Sequence, residues 1–220
     1  MSARERRDLT PTSYALLGQL ALRPWSVYEM TQNVGRTLHW FWPRAESVLY
    51  QETKRLAELG LARAEREPGR RGQPRSVYAI TPRGRRALRA WLGTPAASFT
   101  LHFEALLRVH LSPYASREDL LRALEGARAD AEALLRQAIL IGGEFVEGRH
   151  QFQDQVHVRG ILFDYLWGFG LGMYAWADRS IEEVSTWRSI DGSQRARHRA
   201  IKLMREVIEA APAPLAIPLD

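Results

Sequence analysis

The chain has 220 residues, 45% hydrophobic and 25% charged, with no cysteine and a net charge of +6. That composition is ordinary for a globular protein of one large or two small domains. The lack of cysteine excludes a disulfide scaffold and any cysteine-ligated zinc or iron–sulfur site, and it fits a reducing compartment.

The opening stretch, Met1 to Asp8, is charged and lacks the apolar core of a signal peptide, so a cytoplasmic location is expected. Residues 1–94 hold 17 basic and 8 acidic side chains, a net of +9; the remainder holds 14 and 17, a net of −3. A basic first half joined to a mildly acidic second half points to a polyanion reader attached to another module.

Thr10-Pro11 opens a first helix, since Thr caps and Pro at the first helical position loses no hydrogen bond. Its apolar residues are Tyr14, Ala15, Leu17, Leu20 and Leu22, and it stops before Pro24. Ser26 caps a second helix through Val34, ended by Gly35. After the aromatic connector Trp40-Phe41-Trp42 and Pro43, a third helix is predicted from about Arg44 to Leu59, with Gly60 as its stop.

The period then changes. Residues 62–67 and 75–80 read as short antiparallel strands around a loop with two prolines and two glycines. Thr81-Pro82 repeats the cap signal and starts a fourth helix through Leu92. Three helices, a hairpin and a helix make a winged helix-turn-helix with a two-stranded β wing.

Small residues from Gly93 to Ser98 mark a boundary, beyond which no strand is predicted. Ser116 caps a long helix with Leu120, Leu124, Ala127, Ala131, Leu134, Ala138 and Ile141 at heptad spacing. Further helices are expected over about 151–187 and 194–211, before a Pro-rich tail. The predicted class is mainly α. A DNA-binding domain over 1–95 precedes an all-helical dimerisation and candidate effector domain over 96–190, then an extra helix and tail over 191–220.

On a helical wheel the third helix places Ala45, Val48, Leu49, Leu56 and Leu59 on an inner side. Arg44, Ser47, Tyr50, Gln51, Lys54 and Glu58 lie on the other. Guanidinium, hydroxyl, amide and ammonium groups are the chemistries that reach base edges and phosphates. The hairpin tip carries Arg70 and Arg71 between glycines, with Arg75 at the base of the second strand, supplying positive charge for phosphates or the minor groove. A solvated amphipathic helix and a soluble loop are the plainer readings of the same residues.

Three stretches together resemble the PadR family of bacterial transcriptional regulators: ALLGQLALRPWSVYEM (15–30), WPRAESVLYQETKRLAELGLARAE (42–65) and GQPRSVYAITPRGRRALRAWL (72–92). The middle stretch is similar to the family's recognition helix, with Tyr50 leading Leu56, Leu59, Gly60 and Leu61. One departure is Ser26-Val27-Tyr28-Glu29, where the family commonly has His-Gly-Tyr-Glu. The resemblance implies a dimeric repressor released by a small molecule, with a C-terminal helical dimerisation domain. Residues beyond about 190 exceed the family's usual length.

The segment Ile161–Ala177 (ILFDYLWGFGLGMYAWA) is too short for a membrane span. Gly168 and Gly172 share a helical face beside Phe163, Trp167, Tyr174 and Trp176. An aromatic dimer core explains them; so does a pocket for a small aromatic or planar effector, which Trp91 would join. Glu147, His150, Asp154 and His157 form a polar stripe whose spacing fits a divalent ion on an unbroken helix, although Gly148 interrupts it. His102 and His110 read as structural. No phosphate loop, His-Glu-x-x-His, Gly-x-Ser-x-Gly or cysteine nucleophile is present, so no catalytic residue, metal or cofactor is assigned.

The expected function is therefore a homodimeric regulator reading an inverted-repeat operator in double-stranded DNA. The alternatives are a winged-helix protein-interaction module and, more remotely, a metal-dependent enzyme on the His150/His157 stripe.

Overall fold

The computed structural model describes residues 9–68, 74–191 and 193–212. It divides into two compact units, Met1–Phe99 and Thr100–Asp220. In chain order the first unit contains α1 (Pro11–Leu22), β1 (Trp25–Ser26), α2 (Val27–Thr37), α3 (Glu46–Glu58), β2 (Ala62–Pro68), β3 (Pro74–Ile80) and α4 (Pro82–Leu92). The second contains α5 (Glu104–Leu111), α6 (Arg117–Val146), α7 (Val156–Ser185) and α8 (Gln194–Glu209), with 3-10 turns at Ser112–Tyr114 and Gln153–Gln155.

Helix α1 starts where Thr10 accepts the Ser13 amide, and the Ser13 hydroxyl accepts the Thr10 amide in return. Once formed, it is covered on nearly all sides: Tyr14, Leu16, Leu17 and Leu20 are buried, and so are Thr12, Ser13 and Gln19. Around it lie Trp25, Met30, Leu56, Leu61 and Ala87. Trp25 donates its indole N–H to the Gln19 carbonyl at 2.8 Å, which satisfies that polar atom inside the core. Trp91 lies flat on Tyr14, 4.7 Å between ring centres. Within the first unit, then, its partner is Tyr14.

The sheet has three strands, not two. The residues before Ser26 form β1, which pairs with β3 through Trp25↔Tyr78 and Ser26↔Val77, so the order is β1-β3-β2. A two-residue strand leaves no alternation to detect, and only the pairing reveals it. Strands β2 and β3 run in register from Ala62↔Ile80 to Pro68↔Pro74. The wing tip with Arg70 and Arg71 lies outside the described residues.

Ser26 caps α2 in a reciprocal box with Glu29, and the helix runs past Gly35 to Thr37. The glycine stop falls instead at Gly60 after α3, where φ is +68°. Gly84 in α4 has a different role. A Cβ there would lie 2.1 Å from the Leu61 carbonyl oxygen, so the missing side chain lets α4 seat against the turn that precedes β2.

In the second unit α6 and α7 are antiparallel. Arg117 at the start of α6 donates to the carbonyls of Val184 and Ser185 at the end of α7, and Arg128 pairs with Asp178 at 3.2 Å. The buried residues of α6 are Leu120, Leu124, Ala127, Ala131, Leu134 and Ala138, the heptad stripe expected except for Ile141, which is half-buried. On α7 the buried positions are Gly170, Ala177 and Val184, seven apart. Helix α5 was not foreseen, because its eight residues are too few for a period to show.

Two predictions follow from this packing. Gly84→Ala should destabilise the first unit by about 1–3 kcal/mol in urea unfolding, because backbone must move. Gly126→Ala, with open space at its Cβ in the middle of α6, should stabilise the second by about 0.5–1 kcal/mol. Equal effects would show that the Leu61 contact does not constrain α4.

The Glu29 carboxyl is held below its ordinary 4.5, first by the Ser26 hydroxyl, then by the Ser26 amide and the Arg75 charge. A lowered carboxyl contributes stability above its unfolded-state value and loses it as the pH falls through the folded one. Glu29→Gln should therefore flatten the loss of first-unit stability below pH 4.5, measured by urea unfolding across pH. An acid limb as steep as wild type would assign that loss to other groups.

Candidate nucleic-acid interface

Helix α3 buries Leu49, Thr53 and Leu56, positions i, i+4 and i+7 of one face. Thr53 is fully buried because its hydroxyl donates to the Leu49 carbonyl at 2.7 Å. The wheel had placed Ala45 and Val48 inside. Ala45 is instead the residue before the helix, and Val48 is 42% exposed, 100° from Leu49 and off the buried arc.

The opposite face is open. Ser47, Gln51, Lys54 and Glu58 are exposed at spacings of four, three and four, and Tyr50 beside them is 39% exposed. Among the described residues, no hydrogen bond or ion pair commits the side chains of Ser47, Tyr50, Gln51 or Lys54. Nor does a side chain cap the first turn, so the leading amides of α3 also point outward.

Two predicted contacts sit differently. Arg44 precedes α3 rather than opening it, because Pro43 and an Ala45 in extended conformation delay the helix to Glu46. Its guanidinium donates to Thr12 at 3.2 Å and to the Pro43 carbonyl at 2.6 Å, and lies 4.6 Å over the Trp42 ring. Arg75 bridges two carboxylates, Glu29 at 3.3 Å and Glu67 at 3.4 Å. Both arginines join parts of the first unit together, and their charge is already partly spent.

Sequence reasoning overlooked Arg66. It stands exposed on β2, an edge strand of the wing, opposite Ser76. Its neighbour Arg63, by contrast, is paired with Glu65 at 2.9 Å. The signal available was alternation along β2, which puts a second cation on the wing beside the tip arginines.

In the second unit the six residues of the candidate effector pocket separate into two places. Phe163 stacks parallel to Trp167 at 6.0 Å, and its ring covers Gly142 of α6. Trp176 meets Phe103 edge-on at 6.4 Å and packs against Leu120, Leu124 and Val184. Tyr174 is half-buried between them along α7. Gly168 and Gly172 are exposed with open space at their Cβ positions. The glycine that permits close approach is Gly170, whose Cβ would come within 3.0 Å of Leu135. A separate open groove of about 500 Å³ lies between α5 and α6, with Phe103, Arg108, Arg122 and Gly126 on its walls.

The polar stripe is broken. Helix α6 ends at Val146 and Gly148 takes a φ of +70°. His150 then folds into the turn, stacked on Phe145 at 3.8 Å, with its Nδ1 accepting the Phe152 amide. Among the described residues, no three acidic or histidine side chains converge to hold a metal. No helix among them is long and apolar enough to cross a membrane.

Comparison with known proteins addresses the first unit directly. Residues 16–90 match the profile of the transcriptional regulator PadR-like family. No curated protein matches the chain. Bacillus subtilis PadR in complex with operator DNA is similar in fold, with a TM-score of 0.64 and 18% identity over 78% of this chain and 98% of that one. The PadR-like transcriptional regulator BC1756 from Bacillus cereus superposes with a TM-score of 0.65 and 17% identity, over 79% and 98%. Bacillus subtilis PadR in complex with p-coumaric acid gives 0.57 and 19%, again over 79% and 98%. These folds are matched over nearly their full length, and the helices and hairpin that present Tyr50 and Arg75 make residues 16–90 of this chain a PadR-like transcriptional regulator domain.

Proposed function

We propose that the protein is a cytoplasmic, homodimeric transcription regulator that reads an inverted repeat in double-stranded DNA. The observation that carries this reading is the uncommitted face of α3. Ser47, Tyr50, Gln51 and Lys54 stand free on the helix that a PadR-like winged helix would lay in a major groove. Tyr50 and Gln51 supply base-edge chemistry; Lys54, Arg66 and the wing tip at Arg70 and Arg71 supply charge for phosphates.

The open N-terminus of α3 adds amides suited to a phosphate oxygen. Arg44 and Arg75 act mainly by fixing the frame, and they reach the backbone only by exchanging the partners described above. Net charges of +9 in residues 1–94 and −3 beyond them direct DNA to the first unit.

The homodimer is supported by the second unit. Ile139 and Leu140 on α6, and Ile161, Tyr165 and Phe169 on α7, are exposed large apolar side chains, more than a solvated hairpin carries. The action is repression relieved by a small aromatic or planar molecule that binds the helical unit. The Phe163–Trp167 stack offers that ligand a flat apolar surface. The similar fold of Bacillus subtilis PadR has been solved with both operator DNA and p-coumaric acid, and a regulator of this design needs both kinds of partner.

The test begins with selection of a binding site from a random duplex library, followed by fluorescence anisotropy on that site and on a shuffled duplex. Tyr50→Ala and Gln51→Ala should each cost about 1–3 kcal/mol of preference for the selected site. Lys54→Ala should weaken both duplexes alike and lower the salt slope by about 1. No binding to any duplex at low salt would overturn the regulator reading and leave a protein-interaction module.

A further inference from the structure

Helix α8 is the most one-sided surface of the second unit. Ala196 is its only buried residue. Its hold on the rest of the unit is confined to the first turns. Arg199 forms a two-pronged pair with Glu183 of α7 at 2.7–3.1 Å and donates to Thr186 at 3.2 Å, and Arg197 donates to the Asp191 carbonyl at 3.3 Å. This pairing holds the Glu183 carboxyl below its usual range and pushes the Arg199 guanidinium up.

Beyond Arg199 the side-chain ion pair among the described residues is Lys202 with Glu206, inside the helix itself. On that free length Ile201, Leu203, Met204, Val207 and Ile208 are between 43% and 63% exposed. At 100° per residue they cover an arc of roughly 160°, with Lys202, Arg205, Glu206 and Glu209 behind it.

A helix of 16 residues is marginal in water by itself, so an apolar face this broad calls for a partner. Charge identifies which one. Residues 100–193 hold nine basic and fourteen acidic side chains, a net of −5, whereas α8 holds five and two, a net of +3. A basic, apolar arm that its own acidic unit grips only at the root is complementary to another copy of that unit. The exposed apolar residues of α6 and α7 provide the surface.

We propose that α8 is a dimerisation arm whose apolar face, Ile201, Leu203, Met204, Val207 and Ile208, packs on a second copy of this chain. This inference rests on the homodimer reading given above and adds a separate element to it.

The 220-residue chain contains no cysteine, so a Leu203→Cys variant carries a single bimane label. The label should be shielded in the dimer and become exposed on dilution, in step with dissociation seen by sedimentation. A second variant, Leu203→Glu/Val207→Glu, should raise the dimer dissociation constant at least tenfold while the winged helix keeps its thermal transition. Where that variant loses helix content, a truncation after Asp191 makes the same comparison.

A wild-type dimer that the charged variant and the truncation leave unchanged overturns the arm and spares the homodimer. A wild-type protein that stays monomeric at every concentration overturns both. Shielding that persists in the monomer and vanishes on removal of residues 213–220 assigns the face to the chain's own tail. Shielding that appears only with phosphatidylglycerol vesicles assigns it to a membrane. Either result overturns the proposal.

Discussion

The first unit depends on three polar side chains buried along α1. Ser13 donates to Glu52 of α3, Thr12 accepts from Arg44 just before α3, and Gln19 accepts from Asn33 of α2 at 2.7 Å. Apolar contacts alone would let α3 slide along α1 with little change in buried area. A slide of one turn would part Ser13 from Glu52 and Thr12 from Arg44, and a buried polar group that loses its partner costs about 1–3 kcal/mol. The polar contacts thus index α3, while Leu16, Leu17, Leu20 and Leu56 supply the bulk of the burial. The base-edge role proposed for α3 would need that index, since an error of an ångström in placement breaks a bidentate contact.

The same economy divides the cations. Arg44, Arg55, Arg63 and Arg75 are tied to neighbours within the first unit: Arg44 joins the residues before α3 to α1 and Arg75 joins the wing to α2, while Arg55 and Arg63 pair within α3 and β2. Exposed pairs of this kind add little stability singly. They leave Lys54 on α3 and Arg66 on the wing exposed and unpaired among the described residues, as are Arg85, Arg86 and Arg89 on α4. Basic composition alone could not separate these two groups. The structure does so by showing which guanidiniums already have partners: carboxylates for Arg55, Arg63 and Arg75, and Thr12 with the Pro43 carbonyl for Arg44.

What the sequence disclosed and what it hid have a common cause. Thr10-Pro11, Ser26, Thr81-Pro82 and Ser116 each announced a helix start, because a cap is a local hydrogen bond between residues three apart. The heptad stripe of α6 was legible because a long helix repeats its signal many times. The misses are non-local. Strand β1 exists only through its pairing with β3, and Thr53 is buried only because its hydroxyl turns back to Leu49. Gly168 and Gly172 share a face, yet it is Gly170 that meets α6, and spacing cannot say which face meets a neighbour. Arg44 was misplaced for a related reason: α3 has no side-chain cap, so nothing local marked its first residue.

The helical unit has a constraint of its own. Two antiparallel helices present one stripe each to the other, and here the fully buried positions of α7 are Gly170, Ala177 and Val184, flanked by the partly buried Trp176 and Ile181. Small residues draw the two backbones together but bury little apolar area. The bulky side chains Ile161, Tyr165 and Phe169 are left on the outside, where a two-helix layer has nothing to cover them. A hairpin built this way is half of a core. In the homodimer proposed above, another copy would cover that outer face. On the proposed reading, recognition of a two-fold operator and completion of a hydrophobic core would have the same requirement, a second chain.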